Sequence, residues 1–304
     1  MKRLLLTGAS GYIGAATIPI LLSRGFEIHA TTSGALDKCP ATDGVQWHSI
    51  DLLSENNISK IDRIRATHLL HMAWFAKPGQ FWTSNENLAW ASASLHLTRT
   101  FFSGGGVRAV FAGSCAEYDW NYGYCREFVT PCNPATLYGV CKLSLSKILE
   151  SYATLNKLSV AWGRIFWLYG RNEHPARLVP SIILSLLNNR TAMCSEGAQL
   201  RDFLHVDDVA AAFAALVDSK IDGPMNICSG VPVSVRAVGE HIGMRLNAVD
   251  RINFGAIRTS PDEPPLVVGS PRRLQSELGW KQRYTLQSGL DEAIHFWKST
   301  QKMD

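Results

Sequence analysis

The stretch Thr7-Gly8-Ala9-Ser10-Gly11-Tyr12-Ile13-Gly14 decides the fold of this chain. It follows three consecutive leucines and leads into an apolar segment, so the sequence predicts a strand, a tight glycine turn and a helix. In such a turn the first glycine allows unusual dihedrals, the second leaves room for a pyrophosphate, and the third lets the helix pack on the strand. The free N–H groups of the helix then face the phosphates. An ordinary strand-to-helix turn is the alternative. The predicted cofactor contacts here are Gly8, Ser10, Gly11, Tyr12, Ile13 and Gly14.

The composition argues against several classes of protein. The chain has 304 residues, of which 46% are hydrophobic, enough for a full core in one large or two unequal domains. The net charge is only +4, so we expect no nucleic-acid partner, although a small basic surplus suits an anionic small substrate. The seven cysteines form no Cys-x-x-Cys pair, so neither a disulfide framework nor a metal site is expected. No apolar stretch approaches the roughly 18 residues of a membrane span, which predicts a soluble, cytoplasmic protein.

Predicted strands and helices alternate through the first half of the chain. Apolar stretches at residues 26–31, 45–51, 67–73 and 109–113 predict further strands, and residues 87–102 and 138–156 predict helices. This order predicts an α/β fold with a doubly wound parallel sheet, a Rossmann fold. Its ligand is expected at the carboxyl ends of the strands.

The residues at the end of the second predicted strand determine whether NAD or NADP binds. An acidic side chain there accepts hydrogen bonds from the ribose 2′-hydroxyl of NAD and repels the 2′-phosphate of NADP. This chain has Thr31, Thr32 and Ser33 at that place, so NADP (NADPH) is the preferred cofactor. NAD is the alternative if Asp37 supplies the acid. The predicted contacts of the adenosine half are Thr32, Ser33, Asp51 and Leu52.

Three residues form a candidate catalytic constellation. Ser114 lies just beyond the fifth predicted strand, and Tyr138 opens a helix on which Lys142 shares its face. A phenol with a pKa of about 10 is a poor base at neutral pH, and a nearby ammonium is expected to lower that pKa. The phenol can then exchange a proton with a sugar hydroxyl or carbonyl. A chance Tyr-x-x-x-Lys on a solvated helix face is the alternative.

With these residues together, the chain resembles the extended short-chain dehydrogenase/reductase family, the NAD(P)-dependent nucleotide-sugar epimerases, dehydratases and reductases. The resemblance runs nearly end to end, and residues 201–209, Arg-Asp-Phe-Leu-His-Val-Asp-Asp-Val, are its most specific part. It implies that Arg201 contacts the diphosphate of a nucleotide-sugar substrate, which suits a planar, permanently charged guanidinium. A surface salt bridge is the alternative. The resemblance also implies a homodimer. Its further cofactor contacts are Met72, Ala73, Asn87, Tyr138 and Lys142.

The resemblance also implies a division of the chain. We expect an NAD(P)-binding Rossmann domain at residues 1–171, rejoined by about 201–230. Residues 172–200 and 231–304 are expected to form a smaller, mainly C-terminal substrate-binding lobe. Lys77, in an aromatic and basic loop, and Arg177, at the start of the lobe, are further candidate substrate contacts. A packed surface loop is the alternative for residues 74–82.

Departures from the family pattern favour one reaction. Ser114-Cys115-Ala116 stands where similar dehydratases carry Thr-Asp-Glu, so the acid and base that eliminate water are missing, and Glu117 is a doubtful substitute. The missing acid after the second strand speaks against an epimerase that holds NAD tightly. We therefore expect an NADPH-dependent reductase of a nucleotide-linked 4-keto-6-deoxy sugar, as in deoxysugar biosynthesis, with Tyr138 as proton donor. A nucleotide-sugar epimerase and a non-catalytic NADP-binding sensor are the alternatives.

Overall fold

The computed structural model describes residues 2–301. The strands are β1 (Lys2–Thr7), β2 (Phe26–Thr32), β3 (Val45–Ser49), β4 (His68–His71), β5 (Arg108–Ser114), β6 (Tyr124–Cys125), β7 (Ser159–Ile165), β8 (Trp167–Tyr169), β9 (Ala192–Cys194), β10 (Leu200–His205), β11 (Gly223–Ile227), β12 (Pro232–Ser234), β13 (Ile252–Phe254) and β14 (Leu266–Gly269). The helices are α1 (Tyr12–Ser23), α2 (Glu55–Ile58), α3 (Glu86–Ser103), α4 (Leu137–Asn156), α5 (Leu178–Leu187), α6 (Val206–Val217), α7 (Val235–Arg245), α8 (Arg272–Ser276) and α9 (Leu286–Thr300). Across residues 2–301, no helix combines the length and the apolar character that a membrane span requires.

The larger sheet has seven strands in the order β11, β7, β5, β4, β1, β2, β3, and all neighbours are parallel. The strand order reverses at β1, which has β2 on one side and β4 on the other. A crevice opens beyond the carboxyl ends of the strands at such a switch point. The predicted doubly wound parallel Rossmann fold is therefore confirmed.

The apolar run of β1 shows why this sheet is buried on both faces. Successive side chains of a strand point to opposite faces. Leu4 and Leu6 accordingly pack in the cluster that holds Phe213 of α6, whereas Leu5 packs in the cluster that holds Leu97 of α3. Because helices cover both faces, every position of this run is apolar, as is usual in parallel sheets.

A second sheet has five strands. Its order is β12, β10, β14, β6, and β8 pairs with β10. Helices α5, α7 and α9 pack together beside it around Ile183, Val238 and Leu290. Three strands of this second sheet lie within the residues expected for the Rossmann domain: β6, β8 and β10. Residues 200–205 form β10 of this second sheet, where β8 and β14 satisfy its backbone, so the chain returns to the Rossmann domain only at α6.

Candidate active site

The glycine turn joins β1 to α1 at the switch point of the large sheet. Gly8 has a φ of +68°, and a Cβ there would lie 2.7 Å from the backbone nitrogen of Ala73, directly after β4. The N–H of Gly11 donates to the carbonyl of Gly8 at 3.0 Å and closes the turn. A Cβ at Gly14 would overlap that same carbonyl. The first and third glycines therefore permit close approach of three backbone segments.

The start of α1 fits a dinucleotide pyrophosphate. Gly11 is the N-cap, no side chain caps the helix, and its first turn has no acidic residue. The first N–H groups of a helix have no partner inside it, so those of Tyr12 and Ile13 are free to bind an anion. Ser10 and Gly11 are exposed beside them. The side chain of Tyr12 packs toward α6, so its backbone is the part that faces the turn.

The predicted adenosine contacts lie at the same carboxyl edge, at the ends of β2 and β3. Thr32 and Asp51 each accept a hydrogen bond at 3.0 Å from the backbone N–H two residues on. Ser33 is exposed and Leu52 is buried. Asp37 lies on an exposed 3-10 turn, residues 36–38, beyond β2. The end of β2 thus presents hydroxyls.

A buried hydrogen-bond chain fixes the junction of β1 and β4. The hydroxyl of Ser94 donates to a backbone carbonyl of α3 at 2.7 Å, so it must accept from Nε2 of His71 at 2.8 Å. Nδ1 of His71 is then the acceptor for the hydroxyl of Thr7 at 2.7 Å. The Thr7 oxygen in turn accepts from the N–H groups of Met72 and Ala73 at 3.2 and 3.3 Å. Burial lowers the pKa of His71 to about 3, so the imidazole is neutral.

Ser114, Tyr138 and Lys142 come together beside this junction. Ser114 ends β5, which neighbours β4, and the other two lie in the first turns of α4. The hydroxyl of Thr136 caps α4 by accepting the N–H of Gly139 at 3.1 Å. The hydroxyl of Ser114 lies close enough to the phenol of Tyr138 to lower its pKa. The predicted constellation is thus assembled at the carboxyl edge.

Aromatic rings surround the phenol of Tyr138. The ring centroids of Phe81, Trp82 and Trp74 lie 4.9, 5.7 and 6.5 Å from that of Tyr138. Burial among them raises the pKa of Tyr138 well above its ordinary value, and the neighbouring Ser114 lowers it only in part. The expectation of a lowered pKa is therefore wrong for the protein without cofactor, because desolvation of the phenolate outweighs its neighbours.

Lys142 is held by a backbone carbonyl and an aromatic ring. Its ammonium donates to the carbonyl of Ala112 at 2.7 Å and lies 3.7 Å from the ring centroid of Trp74, against 5.9 Å for Tyr138. Burial lowers the pKa of Lys142 to about 7, with Glu117 acting in the opposite direction. At neutral pH this group therefore exchanges readily between its charged and neutral forms.

Glu117 is fully buried, and its carboxylate binds the backbone of Ser114. Its carboxylate accepts from the N–H of Ser114 at 2.8 Å, from Nε1 of Trp162 at 2.8 Å and from Nε of Arg164 at 2.7 Å. Ser114 in turn accepts the N–H of Ala116 at 3.2 Å. Both carboxylate oxygens are occupied, so Glu117 is a positioning residue. The sequence shows that Glu117 lies near Ser114, but it does not show that Trp162 and Arg164 of β7 bind the carboxylate.

Two of the three predicted substrate cations lie over aromatic rings. The guanidinium carbon of Arg177 lies 5.3 Å from the ring centroid of Phe81, on the Tyr138 side. Arg201 is almost fully buried, pairs with Glu263 and lies 5.0 Å from the ring centroid of Trp167. Burial lowers the pKa of Arg201, and Glu263 opposes that shift. The side chain of Lys77 is exposed on the loop and makes none of the described hydrogen bonds.

Asn87 lies beneath the loop at residues 74–84. Its amide oxygen accepts from Nε1 of Trp74 at 2.8 Å, and its amide nitrogen donates to the carbonyls of Phe81 and Ser84 at 2.7 and 2.8 Å. All three bonds hold the loop that carries Trp74, and none points to the glycine turn. The side chain of Asn87 therefore holds this loop, whereas the sequence predicts that it contacts the cofactor directly.

The chain is similar to known proteins along most of its length. The sequence pattern of the NAD dependent epimerase/dehydratase family matches residues 4–228. A dTDP-6-deoxy-L-talose 4-dehydrogenase (NAD(+)) of Aggregatibacter actinomycetemcomitans is 26% identical, over 78% of this chain and 88% of its own. A CDP-abequose synthase of Salmonella typhimurium is 24% identical, over 96% and 97%. The Thermus thermophilus UDP-glucose 4-epimerase, solved with NAD, shares the fold with a TM-score of 0.83 at 23% identity, over 97% and 99%.

Because the family pattern spans most of the chain, the protein belongs to the NAD dependent epimerase/dehydratase family, and the predicted membership of the extended short-chain dehydrogenases/reductases is confirmed. It is accordingly an NAD(P)-dependent enzyme.

Proposed function

We propose that the protein is an NADPH-dependent reductase of a nucleotide-linked 4-keto-6-deoxy sugar. The observation that carries the proposal is the burial of the Tyr138 phenol among the rings of Phe81, Trp82 and Trp74. Burial raises the pKa of this phenol, so it holds its proton at neutral pH. A ketone reduction needs a proton donor at the developing alkoxide, whereas oxidation of a sugar alcohol needs a base. Burial therefore favours the neutral phenol, which is the form that donates a proton in a reduction.

The residues around the phenol have defined tasks in this reaction. When bound at the glycine turn, the dinucleotide supplies the hydride. Tyr138 gives its proton to the ketone oxygen, and the hydroxyl of Ser114 donates a hydrogen bond to the same oxygen. Lys142, whose pKa is about 7, carries the charge that stabilises the phenolate left behind. Arg201 binds the diphosphate by exchanging Glu263 for it.

Two further observations support a reductase. Both oxygens of Glu117 are engaged with Ser114, Trp162 and Arg164, so this carboxylate is not available to eliminate water. The name of the Aggregatibacter relative, a 6-deoxy-talose 4-dehydrogenase, describes a redox reaction at position 4 of a nucleotide-linked 6-deoxy sugar.

The preference for NADP rests on the end of β2. Thr32 and Ser33 offer hydroxyls there, and Asp37 is exposed on a separate turn. Hydroxyls tolerate a 2′-phosphate that a carboxylate would repel. NAD is the second candidate, because the Aggregatibacter relative is named for it.

The test is turnover of NADPH and NADH with nucleotide-linked 4-keto-6-deoxy sugars. We expect stoichiometric oxidation of NADPH and slower oxidation of NADH. Tyr138→Phe should lower kcat by about 10²- to 10⁴-fold while leaving cofactor affinity unchanged. Tyr152→Phe, on the same helix, is the matched control and should keep its activity.

A UDP-sugar 4-epimerase is the second candidate, favoured by the shared fold of the Thermus thermophilus enzyme. Interconversion of sugar epimers without net oxidation of NADPH would replace the reductase proposal. A sensor would bind the cofactor and be indifferent to Tyr138→Phe.

We also propose a homodimer that pairs α3 and α4 of two copies. These helices pack on each other within one chain. Leu88 of α3 and Val140, Ile148 and Leu155 of α4 are exposed. The three α4 residues lie on one helical stripe, which is the pattern of a surface that another helix covers.

A further inference from the structure

Three partly exposed tryptophans connect the proton donor to the buried arginine. The ring of Trp82 lies 5.7 Å from Tyr138, Trp120 lies 6.2 Å from Trp82, and Trp167 lies 6.0 Å from Trp120, measured between ring centroids. Arg201 ends the row, 5.0 Å from Trp167. The row therefore runs from the group that would protonate the sugar to the group that would bind its diphosphate.

We call the three rings of Trp82, Trp120 and Trp167 the tryptophan wall. Separate segments of the chain hold them. The carbonyl of Trp82 accepts the N–H of Tyr138 at 3.1 Å, and its ring packs against Phe81 at 4.2 Å. Nε1 of Trp120 donates to the carbonyl of Cys115 at 2.8 Å. Trp167 lies on β8. Packing against Phe81 therefore holds the ring of Trp82, and a hydrogen bond to the backbone holds the ring of Trp120.

The aromatic character of the tryptophan wall determines which groups of a ligand can pack against it. Indole faces pack well against C–H groups and methyl groups but offer no hydrogen-bond acceptor to a hydroxyl. The Nε1 of Trp120 already has its partner, so it cannot compensate either. A sugar hydroxyl turned toward these faces gives up its water without replacement, which is unfavourable.

We propose that Trp82 and Trp120 form the sugar-binding wall and select deoxygenated sugars over fully hydroxylated ones, with Trp167 supporting Arg201 at the diphosphate end. The inference rests on the proposed function, because it takes the ligand to be a nucleotide-linked sugar. It goes further in assigning the choice of sugar to named side chains.

The experiment is equilibrium binding by calorimetry to the NADP-loaded protein. The probes are a nucleoside diphosphate alone and two conjugates of it, one with a 6-deoxyhexose and one with the hexose that carries the 6-hydroxyl. Wild type is expected to bind the deoxy conjugate at least about tenfold more tightly than the hydroxylated one. Equal affinities for the two conjugates would overturn the proposal.

Substitution of Trp82 locates the preference. Trp82→Gln supplies a polar partner and should reduce the preference below about threefold, while leaving affinity for the nucleoside diphosphate alone unchanged. Trp82→Phe keeps a ring and should keep the preference. Trp47→Gln, on β3 and outside the tryptophan wall, is the matched control and should keep the wild-type preference. An equal loss of affinity for all three probes in Trp82→Gln would show that the ring does not contact the sugar.

Binding and turnover separate this inference from the proposed function. If the deoxy conjugate is preferred but no 4-keto sugar is reduced, the reductase proposal fails and the wall stands. If 6-deoxy and 6-hydroxy 4-keto sugars are reduced equally well, the wall fails and the reductase stands.

Discussion

Replacing Glu117 by glutamine tests whether its buried carboxylate supports the site or takes part in chemistry. The carboxylate accepts three hydrogen bonds, from Ser114, Trp162 and Arg164, and both it and Arg164 are almost completely buried. Its charge raises the pKa of Arg164 against the effect of burial. Glutamine keeps the shape of the side chain, but it removes the negative charge that pairs with Arg164. It also places an NH₂ group where the carboxylate accepted a hydrogen bond.

The expected cost follows from that arrangement. Breaking a buried ion pair by removing one partner costs about 3–5 kcal/mol, because the other charge stays buried and unpaired. This is a large share of the roughly 5–15 kcal/mol by which proteins are stable. Glu150→Gln is the control: its pair with Lys147 is exposed, and its loss should cost less than about 1 kcal/mol.

The measurement is the free energy of unfolding in urea, together with turnover. Glu117→Gln should lose stability and activity together, since the side chain that binds Ser114 then turns its NH₂ group toward the N–H of Arg164 and loses that anchor. The double replacement Glu117→Leu with Arg164→Met should recover part of the stability, because no unpaired charge remains. A Glu117→Gln protein as stable as wild type but inactive would refute this reasoning and return dehydration as a candidate reaction.

Two further predictions concern protonation. Burial holds the pKa of Lys142 at about 7, below the 10.5 of an ordinary lysine, so the unfolded chain binds more protons between these values. The stability of cofactor-free wild type should therefore rise with pH from about 7 to about 10.5 relative to Lys142→Met, by up to about 1.4 kcal/mol per pH unit in urea unfolding. A constant difference would contradict the buried amine. His71 should stay neutral with its proton on Nε2 from about pH 5 to about pH 8, because its pKa is about 3 and Ser94 can only accept. Nitrogen NMR reads this directly, and a protonated Nδ1 would disprove the hydrogen-bond chain.

Local sequence was sufficient for the fold and for the members of the candidate catalytic group. The glycine turn needs Gly8 and Gly14 because backbone segments touch there, and that requirement is written in consecutive residues. The run of leucines in β1 and the spacing of Tyr138 and Lys142 on one helix face are equally local.

The sequence by itself therefore determined the Rossmann sheet, the cofactor turn and the serine, tyrosine and lysine beside it. Only the tertiary structure decided the ion pairs and pKa shifts of the site and the arrangement of the tryptophan wall. The pairs Glu117 with Arg164 and Arg201 with Glu263 join residues far apart in the chain, and the raised pKa of Tyr138 depends on rings brought by another segment. Burial and charge pairing arise from such long-range packing, so no periodicity or motif spacing contains them.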